Sequence, residues 1–593
     1  MSRIAILLND RCHPTECDWE CATYCPINRM GQECIVESKE TGKPIISETL
    51  CIGCGICVHK CPFDAIKILN TPAADESEIV HRYGYNGFRL YRLPLPPPKG
   101  ITGLLGPNGT GKSTALRILA GTEVPNLGRY DAPASWSQVV EHYRGTAMAA
   151  HFQKIARGEL RSVVKPQYVD RIAEEPGTAE EYVGQGGGDA LATLEQVGLR
   201  SKADRPLNAL SGGELQMAAI ARTLATDADL YLFDEPSSYL DIVHRLSIAR
   251  VLRRLGERKS VIVVEHDLAL LDYLADQAHL VYGEEAAFGV ISHPLAMRTA
   301  VNTYLNGYLK DENVRFRTEA VRFVAHPPKP PTRRNVAVTF GALAKQFDRF
   351  RVEVGAGTLA KGETIGIVGP NATGKTTFVR MLAGVEPPTE GTPPPGVTVS
   401  YKPQYLKAAQ GASLRERIAE LYADPSFDAK LLERELVPGL HLDGVLDVAL
   451  TDLSGGELQR AAVALALARP ATLYLLDEPS AYLDSDERMA MARLVRRQIE
   501  RSGATALIVD HDVYFLDLAC DGLMVFRPDG ADGTRGRGDG PFAMREGMNR
   551  LLREVQITFR RDAETLRPRI NQEGSVLDRE QRSQGEYYYD VDG

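Results

Sequence analysis

The sequence predicts an α/β and α+β multidomain chain, with a small cysteine-rich N-terminal domain ahead of two P-loop nucleotide-binding domains. Three observations predict it. Nine of the ten cysteines fall within the first 61 residues, eight of them in two ordered runs of four. Two phosphate-loop motifs, centred on Lys112 and Lys375, each follow an apolar, strand-like segment. The motifs that follow Lys112 then reappear in the same order after Lys375, which is an internal duplication of a long unit.

Composition sets the outer bounds. A chain of 593 residues has room for about three to five domains. Its 44% hydrophobic and 25% charged content is ordinary for globular protein. There is no uncharged apolar run of about 18 residues, so no segment is expected to span a bilayer, and any membrane partner would be a separate chain. The start, MSRIAILLNDRCHPTEC, lacks the pattern of a cleavable signal, so secretion is not expected. A net charge of −9 opposes wholesale coating by nucleic acid, so any such contact must use local basic surfaces.

The cysteines come first in the chain. The runs are Cys12-x4-Cys17-x3-Cys21-x3-Cys25-Pro26 and Cys51-x2-Cys54-x2-Cys57-x3-Cys61-Pro62. Without a signal sequence, the second run reads as thiolate ligands for iron rather than as disulfides. In two-cluster ferredoxins the fourth cysteine of such a run ligates the other cluster. That rule assigns Cys12, Cys17, Cys21 and Cys61 to one [4Fe–4S] cluster, and Cys25, Cys51, Cys54 and Cys57 to the second. The first run departs from the usual spacing, which leaves its cluster type open, and zinc is the alternative. Cys34 is left over, and Cys520 reads as a small buried hydrophobe. Metal binding would supply folding energy to a domain of ~70 residues. Electron transfer is the other reading, but no flavin or haem motif offers a partner.

The first phosphate loop runs Gly106-Pro107-Asn108-Gly109-Thr110-Gly111-Lys112-Ser113-Thr114; the second ends Asn371-Ala372-Thr373-Gly374-Lys375-Thr376-Thr377. Glycines let backbone N–H groups wrap phosphates at a helix N-terminus, the lysines neutralise β/γ oxygens, and Ser113 and Thr376 offer oxygens to Mg²⁺. Each half then has KPQY, whose Gln167 and Gln404 suit sensing of Mg²⁺ and water. Next come Ser211-Gly212-Gly213-Glu214 and Ser454-Gly455-Gly456-Glu457, helix N-termini able to meet a γ-phosphate. In LYLFDEP and LYLLDEP, Asp234 and Asp477 are expected to hold Mg²⁺, and Glu235 and Glu478 to polarise the attacking water. SSYLD and SAYLD end in Asp241 and Asp484, and His266 and His511 close the sets. Upstream aromatics Tyr83, Phe88, Phe347 and Phe350 are candidates for stacking adenine, with core packing as the competing role.

This series resembles the ABC ATPase family over about residues 76–545. The resemblance implies composite sites: Lys112, Gln167, Glu235 and His266 with Ser454, and Lys375, Gln404, Glu478 and His511 with Ser211. All catalytic positions are present in both sets.

The stretch from Lys112 to Ser211 is longer than that from Lys375 to Ser454. The surplus reads as a helix, a break at Arg144-Gly145 and a second helix. Residues 141–171 carry Arg144, Lys154, Arg157, Arg161, Lys165 and Arg171, either a solvated face or an RNA-backbone contact. Residues 306–334 link the halves through a proline-rich end. VRFR there and TFRR near the C-terminus are two basic strips that either brace the ATPase lobes by ion pairs or sit at a hinge.

From end to end, SETLCIGCGICVHKCPF, HRYGYNGF, DEPSSYLD, DEPSAYLD and ITFRRD with RPRIN resemble the ABC subfamily E, or RNase L inhibitor, family. The resemblance implies a cytoplasmic ribosome recycling factor, monomeric, with two [4Fe–4S] clusters, ATP and Mg²⁺. Its partners would be the small ribosomal subunit with its rRNA and a class 1 release factor or Pelota. ATP-driven closure would move the iron–sulfur domain and split the subunits. The implied division is 1–75 iron–sulfur, 76–302 first ATPase with an insertion at about 136–165, 303–332 hinge, 333–545 second ATPase and 546–593 C-terminal hinge. The lean composition points to archaea. Two alternatives are a redox-coupled ATPase not acting on ribosomes and a transporter motor, which the fused cysteine domain disfavours.

Overall fold

The computed structural model describes residues 3–70, 76–317, 319–324, 335–404, 411–425, 427–530 and 533–588. The proline-rich end of the expected linker, residues 325–334, and the last residues of the expected C-terminal hinge, 589–593, lie outside the described residues, as do 71–75 at the first expected boundary. The chain divides into two compact units. The first takes Met1–Pro236, Arg253–Glu265 and Ala275–Ala320; the second takes Ser237–Leu252, His266–Leu274 and Val321–Gly593.

In the first unit, strand Arg3–Leu7 pairs antiparallel with Ile66–Asn70, so the two ends of the cysteine-rich segment meet. A second hairpin, Ile35–Glu37 with Pro44–Ile46, lies between them. Short helices Glu20–Thr23, Pro26–Arg29 and Ile56–Lys60 carry or adjoin the cysteines. The core is small: Ile35, Ile46 and Ile66 pack with the thiols of Cys21, Cys25, Cys34 and Cys57. Asn86, from the HRYGYNGF segment, is buried against this hairpin. Its amide donates to the carbonyls of Ala5 at 3.1 Å and Ile46 at 2.9 Å, and its oxygen accepts the Ile46 N–H at 2.8 Å. Arg82 and Arg89 both donate to Glu48 beside it.

The same unit holds a nine-stranded sheet. Its parallel centre runs Gln277–Glu284, Gly100–Leu105, Ser260–Val264, Leu230–Asp234 and Ser162–Lys165. These strands are nearly continuous apolar runs because both faces are covered. Helix Lys112–Leu119 starts at the carboxyl end of the central strand, where open α/β sheets bind ligands. Helices Trp136–His142 and Met148–Ala156 flank a turn in which Gly145 has φ 83°. Val139, Met148 and Phe152 anchor this pair on the core that holds Leu116 and Ile118.

The second unit repeats the plan in an eight-stranded sheet, with Thr364–Val368 in the position of Gly100–Leu105. Strands Thr505–Val509, Leu473–Asp477 and Val399–Lys402 follow it in parallel. The C-terminal segment forms helix Met544–Val555, hairpin Phe559–Arg561 with Pro568–Ile570, and helix Val576–Gln584. Its basic strip is buried by ion pairs. Arg561 meets Asp517 at 2.8 Å, and Arg567 meets Asp272 at 2.8 Å. Among the described residues no helix is long and apolar enough to cross a membrane.

Candidate functional site

The first phosphate loop joins strand Gly100–Leu105 to helix Lys112–Leu119 through residues with left-handed backbone, Gly109 at φ 68° and Gly111 at φ 87°. A Cβ on Gly111 would sit 2.8 Å from the Phe88 ring, so the ring seals the loop from behind. Lys112 is folded back: its Nζ donates to the carbonyls of Gly106 at 2.8 Å and Pro107 at 2.6 Å. Lys375 does the same with Gly369 and Pro370, at 2.8 and 2.7 Å. Burial pulls the Lys375 ammonium down to about 8.

Next to each lysine stands the aspartate of the DEP strand. Ser113 Oγ donates to Asp234 at 2.7 Å, and Thr376 Oγ1 to Asp477 at 3.4 Å. The other oxygen of each carboxylate, Oδ1 of Asp234 and Oδ2 of Asp477, is buried and accepts no hydrogen bond from the described residues. Burial raises both carboxyls, Asp477 to about 6. A buried, half-satisfied carboxylate beside a hydroxyl and a lysine fits a hard divalent cation that takes oxygen ligands.

The following glutamates, Glu235 and Glu478, have left-handed backbone, φ 46° and 49°. For a residue with a Cβ this is strained, and it turns the carboxylate out of the strand line. Gln167 Nε2 donates to Glu235 Oε1 at 3.1 Å, and Gln404 Nε2 to Glu478 Oε1 at 2.7 Å. Burial raises the Glu478 carboxyl, with Gln404 pulling the other way. His511 Nε2 lies 3.8 Å from Glu478 Oε1. Burial, with Lys375 and Arg245 nearby, holds His511 well below its usual range and therefore neutral. His266 is buried in the second unit, where its carbonyl accepts from Ser485 Oγ at 2.6 Å.

Ser211 and Ser454 cap helices Gly212–Ala225 and Gly455–Ala468 with reciprocal bonds to Glu214 and Glu457. The capping boxes leave the first helical N–H groups, at Gly212, Gly213, Gly455 and Gly456, aimed along the helix axis, which is an anion-binding geometry. Asp241, fully buried, accepts the Asn371 N–H of the second phosphate loop at 2.6 Å and a bond from His244 at 2.9 Å. Burial pushes its carboxyl up, but these partners prevail and hold it well below the usual range. Asp484 caps helix Ser485–Ser502. Among the aromatics, Tyr83 and Phe347 keep exposed faces, whereas Phe88 and Phe350 lean on the two cores. Tyr83 reaches the loop itself, its hydroxyl 3.2 Å from Thr114 Oγ1.

Two separate cavities are lined by cysteine. One has Cys12, Cys17, Cys21 and Cys61; the other has Cys25, Cys51, Cys54 and Cys57, with Cys34 as a fifth thiol. The fourth cysteine of each run thus crosses to the cavity of the other. Burial raises Cys21 to about 12 and Cys57 to about 11, with the neighbouring thiols adding to it. Four soft sulfur donors around each hollow fit an iron–sulfur cluster.

Known proteins share this combination. The ABC transporter profile matches residues 97–238 and 355–481. The 4Fe-4S binding domain matches 44–67, and the possible Fer4-like domain in RNase L inhibitor matches 2–33. An uncharacterized ABC transporter ATP-binding protein of Methanocaldococcus jannaschii is 43% identical, across 99% of this chain and 97% of that one. Translation initiation factor RLI1 of Chaetomium thermophilum is 42% identical, across 100% and 98%. The chain belongs to the RNase L inhibitor family, ABC subfamily E. A solved structure described as ribosome-bound archaeal Pelota and ABCE1 superposes at a TM-score of 0.91, with 48% identity over 99% of each chain. Like its relatives, this subfamily E protein is an ABC-type ATPase with a 4Fe–4S-binding domain.

Some residues of the site escaped sequence reasoning. Lys165, counted there with the basic face of residues 141–171, is fully buried behind Asp234. Arg161, from the same stretch, is paired with Asp227 and Asp229. Gln216 and Gln459 donate to the carbonyls of Glu235 and Glu478. The signal was present: KPQY and SGGELQ repeat letter for letter in both halves, beyond the residues assigned a role.

Proposed function

We propose that this subfamily E protein is an ATP-driven ribosome recycling factor that splits ribosomes into subunits after termination or rescue. The observation that carries the reading is likeness over the whole chain, at a TM-score of 0.91, to a protein solved bound to a ribosome with Pelota. It extends across the cysteine domain as well as both ATPase sets, so what is shared is the coupling of the two.

In this reading the chain is cytoplasmic, archaeal and monomeric, and acts with a class 1 release factor or Pelota on the small subunit and its rRNA. Residues 1–75 form the iron–sulfur domain, 76–302 and 333–545 the ATPase domains, and 303–332 and 546–593 the hinges. Lys112 and Lys375 turn from their own loop carbonyls to phosphate oxygens when ATP arrives. Ser113 with Asp234, and Thr376 with Asp477, hold Mg²⁺, which when bound neutralises charge on the transferred phosphoryl group. Glu235 and Glu478 polarise the attacking water, Gln167 and Gln404 hold those carboxylates, and neutral His511 is placed to orient the water beside Glu478, as His266 would be in the first set. Ser211, Ser454 and the glycines after them offer N–H donors to phosphate; Asp241 and Asp484 order the adjoining loops. Tyr83 and Phe347, which keep exposed faces, are the preferred adenine-stacking candidates in this reading. The two cysteine quartets hold two [4Fe–4S] clusters, which make the small domain rigid enough to transmit motion. ATP engagement draws the ATPase halves together and moves that domain; hydrolysis resets it.

Light scattering of intact ribosomes tests this. With purified holoprotein, release factor or Pelota, and ATP, scattering is expected to fall, and each of the two proteins and ATP is required. An unchanged signal alongside healthy ATP hydrolysis and intact cluster absorbance would detach the chain from the ribosome.

A further inference from the structure

A buried lysine stands behind each catalytic pair, in the same place in both halves. Lys165 and Lys402 end the strands Ser162–Lys165 and Val399–Lys402, which pair in parallel with the DEP strands. They are 0% and 1% exposed. Lys165 Nζ donates to the Asp234 carbonyl at 3.1 Å. Lys402 Nζ donates to the carbonyls of Asp477 at 2.7 Å and Glu478 at 3.3 Å. Each lies two residues before Gln167 or Gln404, which stand in the bend just past the strand end. The strand end and the bend after it grip the Asp–Glu pair twice, through the backbone by lysine and through the glutamate side chain by glutamine.

From the other side, Gln216 Nε2 donates to the carbonyls of Glu235 at 2.8 Å and Pro236 at 3.0 Å, and Gln459 donates to that of Glu478. The glutamate N–H groups are tied to Val264 and Val509 at 3.0 and 2.8 Å. The peptide so clamped is the strained one, with φ 46° and 49°. A left-handed glutamate persists only where its surroundings over-determine it. Burying an ammonium is unfavourable unless its charge and donors are used. Packing alone would be met by methionine, yet lysine occupies both positions.

We propose that Lys165 and Lys402 are positioning residues for the water-polarising glutamates, pinning each Asp–Glu backbone from the strand that leads into the glutamine. The charge contributes too: Asp234, Glu235 and Glu265 surround Lys165, and Asp477, Glu478 and Asp510 surround Lys402.

The inference rests on the reading of Glu235 and Glu478 as the groups that polarise water, so the test measures both. In full-length, cluster-loaded protein, the double variants Lys165→Met with Lys402→Met, Lys165→Gln with Lys402→Gln, and Glu235→Gln with Glu478→Gln are compared for kcat and KM of ATP hydrolysis. The methionine pair is expected to lose roughly tenfold or more in kcat with KM moved less than about threefold. The glutamine pair, which keeps a donor and loses the charge, is expected to recover part of that loss. Methionine variants that fold and keep kcat within about twofold overturn the positioning role, provided the glutamate variants lose turnover. If the methionine pair does not fold, the glutamine pair carries the same criterion. Glutamate variants that keep full turnover overturn the underlying reading instead.

Discussion

The two phosphate loops differ at two places, Gly109 against Ala372 and Ser113 against Thr376, and their surroundings differ more than their letters do. Both first positions are left-handed, φ 68° and 60°. In the first loop a Cβ would come within 2.4 Å of Glu285 Cγ and 3.3 Å of its Cα, because the turn after strand Gln277–Glu284 crosses it. Ala286 N–H donates to the Gly109 carbonyl there, at 3.3 Å. The second loop carries a methyl group at the same backbone angle. At the second difference, serine reaches its aspartate at 2.7 Å and threonine only at 3.4 Å. Two sites with the same motifs are thus held with different tightness: the first is closed around its aspartate, and the second around its glutamate, where Gln404 stands closer than Gln167 does.

The largest effect comes from a feature the two sites share, the glutamate after each DEP strand. Glu235→Gln with Glu478→Gln is expected to lower ATP turnover by roughly 10²–10³, the usual range for losing a positioned base. Each single variant should remove one share. A double variant that keeps more than about a tenth of turnover would remove both sites from the chemistry.

The hydroxyls separate the two sites. Without Mg²⁺, Ser113→Ala takes away the bond that Ser113 donates to Asp234, and is expected to cost about 1–3 kcal/mol in urea unfolding. Thr376→Ala, breaking a bond at the limit of hydrogen-bond distance, is expected to cost under about 1 kcal/mol. Equal costs would mean that the two aspartates are held alike.

Gly109→Ala adds left-handed strain of about 1–2 kcal/mol and displaces Glu285. Ala372→Gly relieves similar strain but loosens the unfolded chain, so its net effect is expected within about 1 kcal/mol. Thermal midpoints of the two variants measure the crowding directly.

The smallest effect is on pH. The Asp477 carboxyl is raised to about 6, chiefly by burial, whereas an unfolded aspartate titrates near ~3.9. The folded chain therefore holds the extra proton between these values. The stability this adds is present at acid pH and lost as pH rises through 6. Mg²⁺ held at Asp477 as proposed would compete with that proton. The rise in thermal midpoint on adding Mg²⁺ is expected to be smaller at about pH 5 than at about pH 7.5. Asp477→Asn should flatten the difference, and an unchanged one would locate the Mg²⁺ response elsewhere.

Much of the site was legible because its chemistry is written within a few residues. The phosphate loops, the capping boxes at Ser211 and Ser454, and the DEP strands are local: glycine, serine or a buried apolar run sets each backbone directly. The cysteine exchange was legible too, since in two-cluster ferredoxins the fourth cysteine of such a run ligates the other cluster, and the cavities contain those same quartets. Cys34 was not placed, because a lone thiol has no spacing to interpret; the hairpin Ile35–Glu37 with Pro44–Ile46 brings it to the second cavity. Lys165 was misplaced for the opposite reason: its neighbours Arg144, Lys154, Arg157 and Arg161 made it look like part of a charged face.

The chain's own letters were enough for the duplicated ATPase plan and the two thiol quartets, since short-range sterics and donor geometry act within a turn or a strand. Burial and long-range pairing were not, because they are collective. That Lys165 meets the Asp234 carbonyl, that Asn86 is sealed under Ala5 and Ile46, that Asp241 accepts from Asn371, and that Arg567 is sunk against Asp272 all follow from which surfaces exclude water together. A lysine in solvent and a lysine behind a carboxylate have the same code; only the packing of sheet strands around it tells them apart.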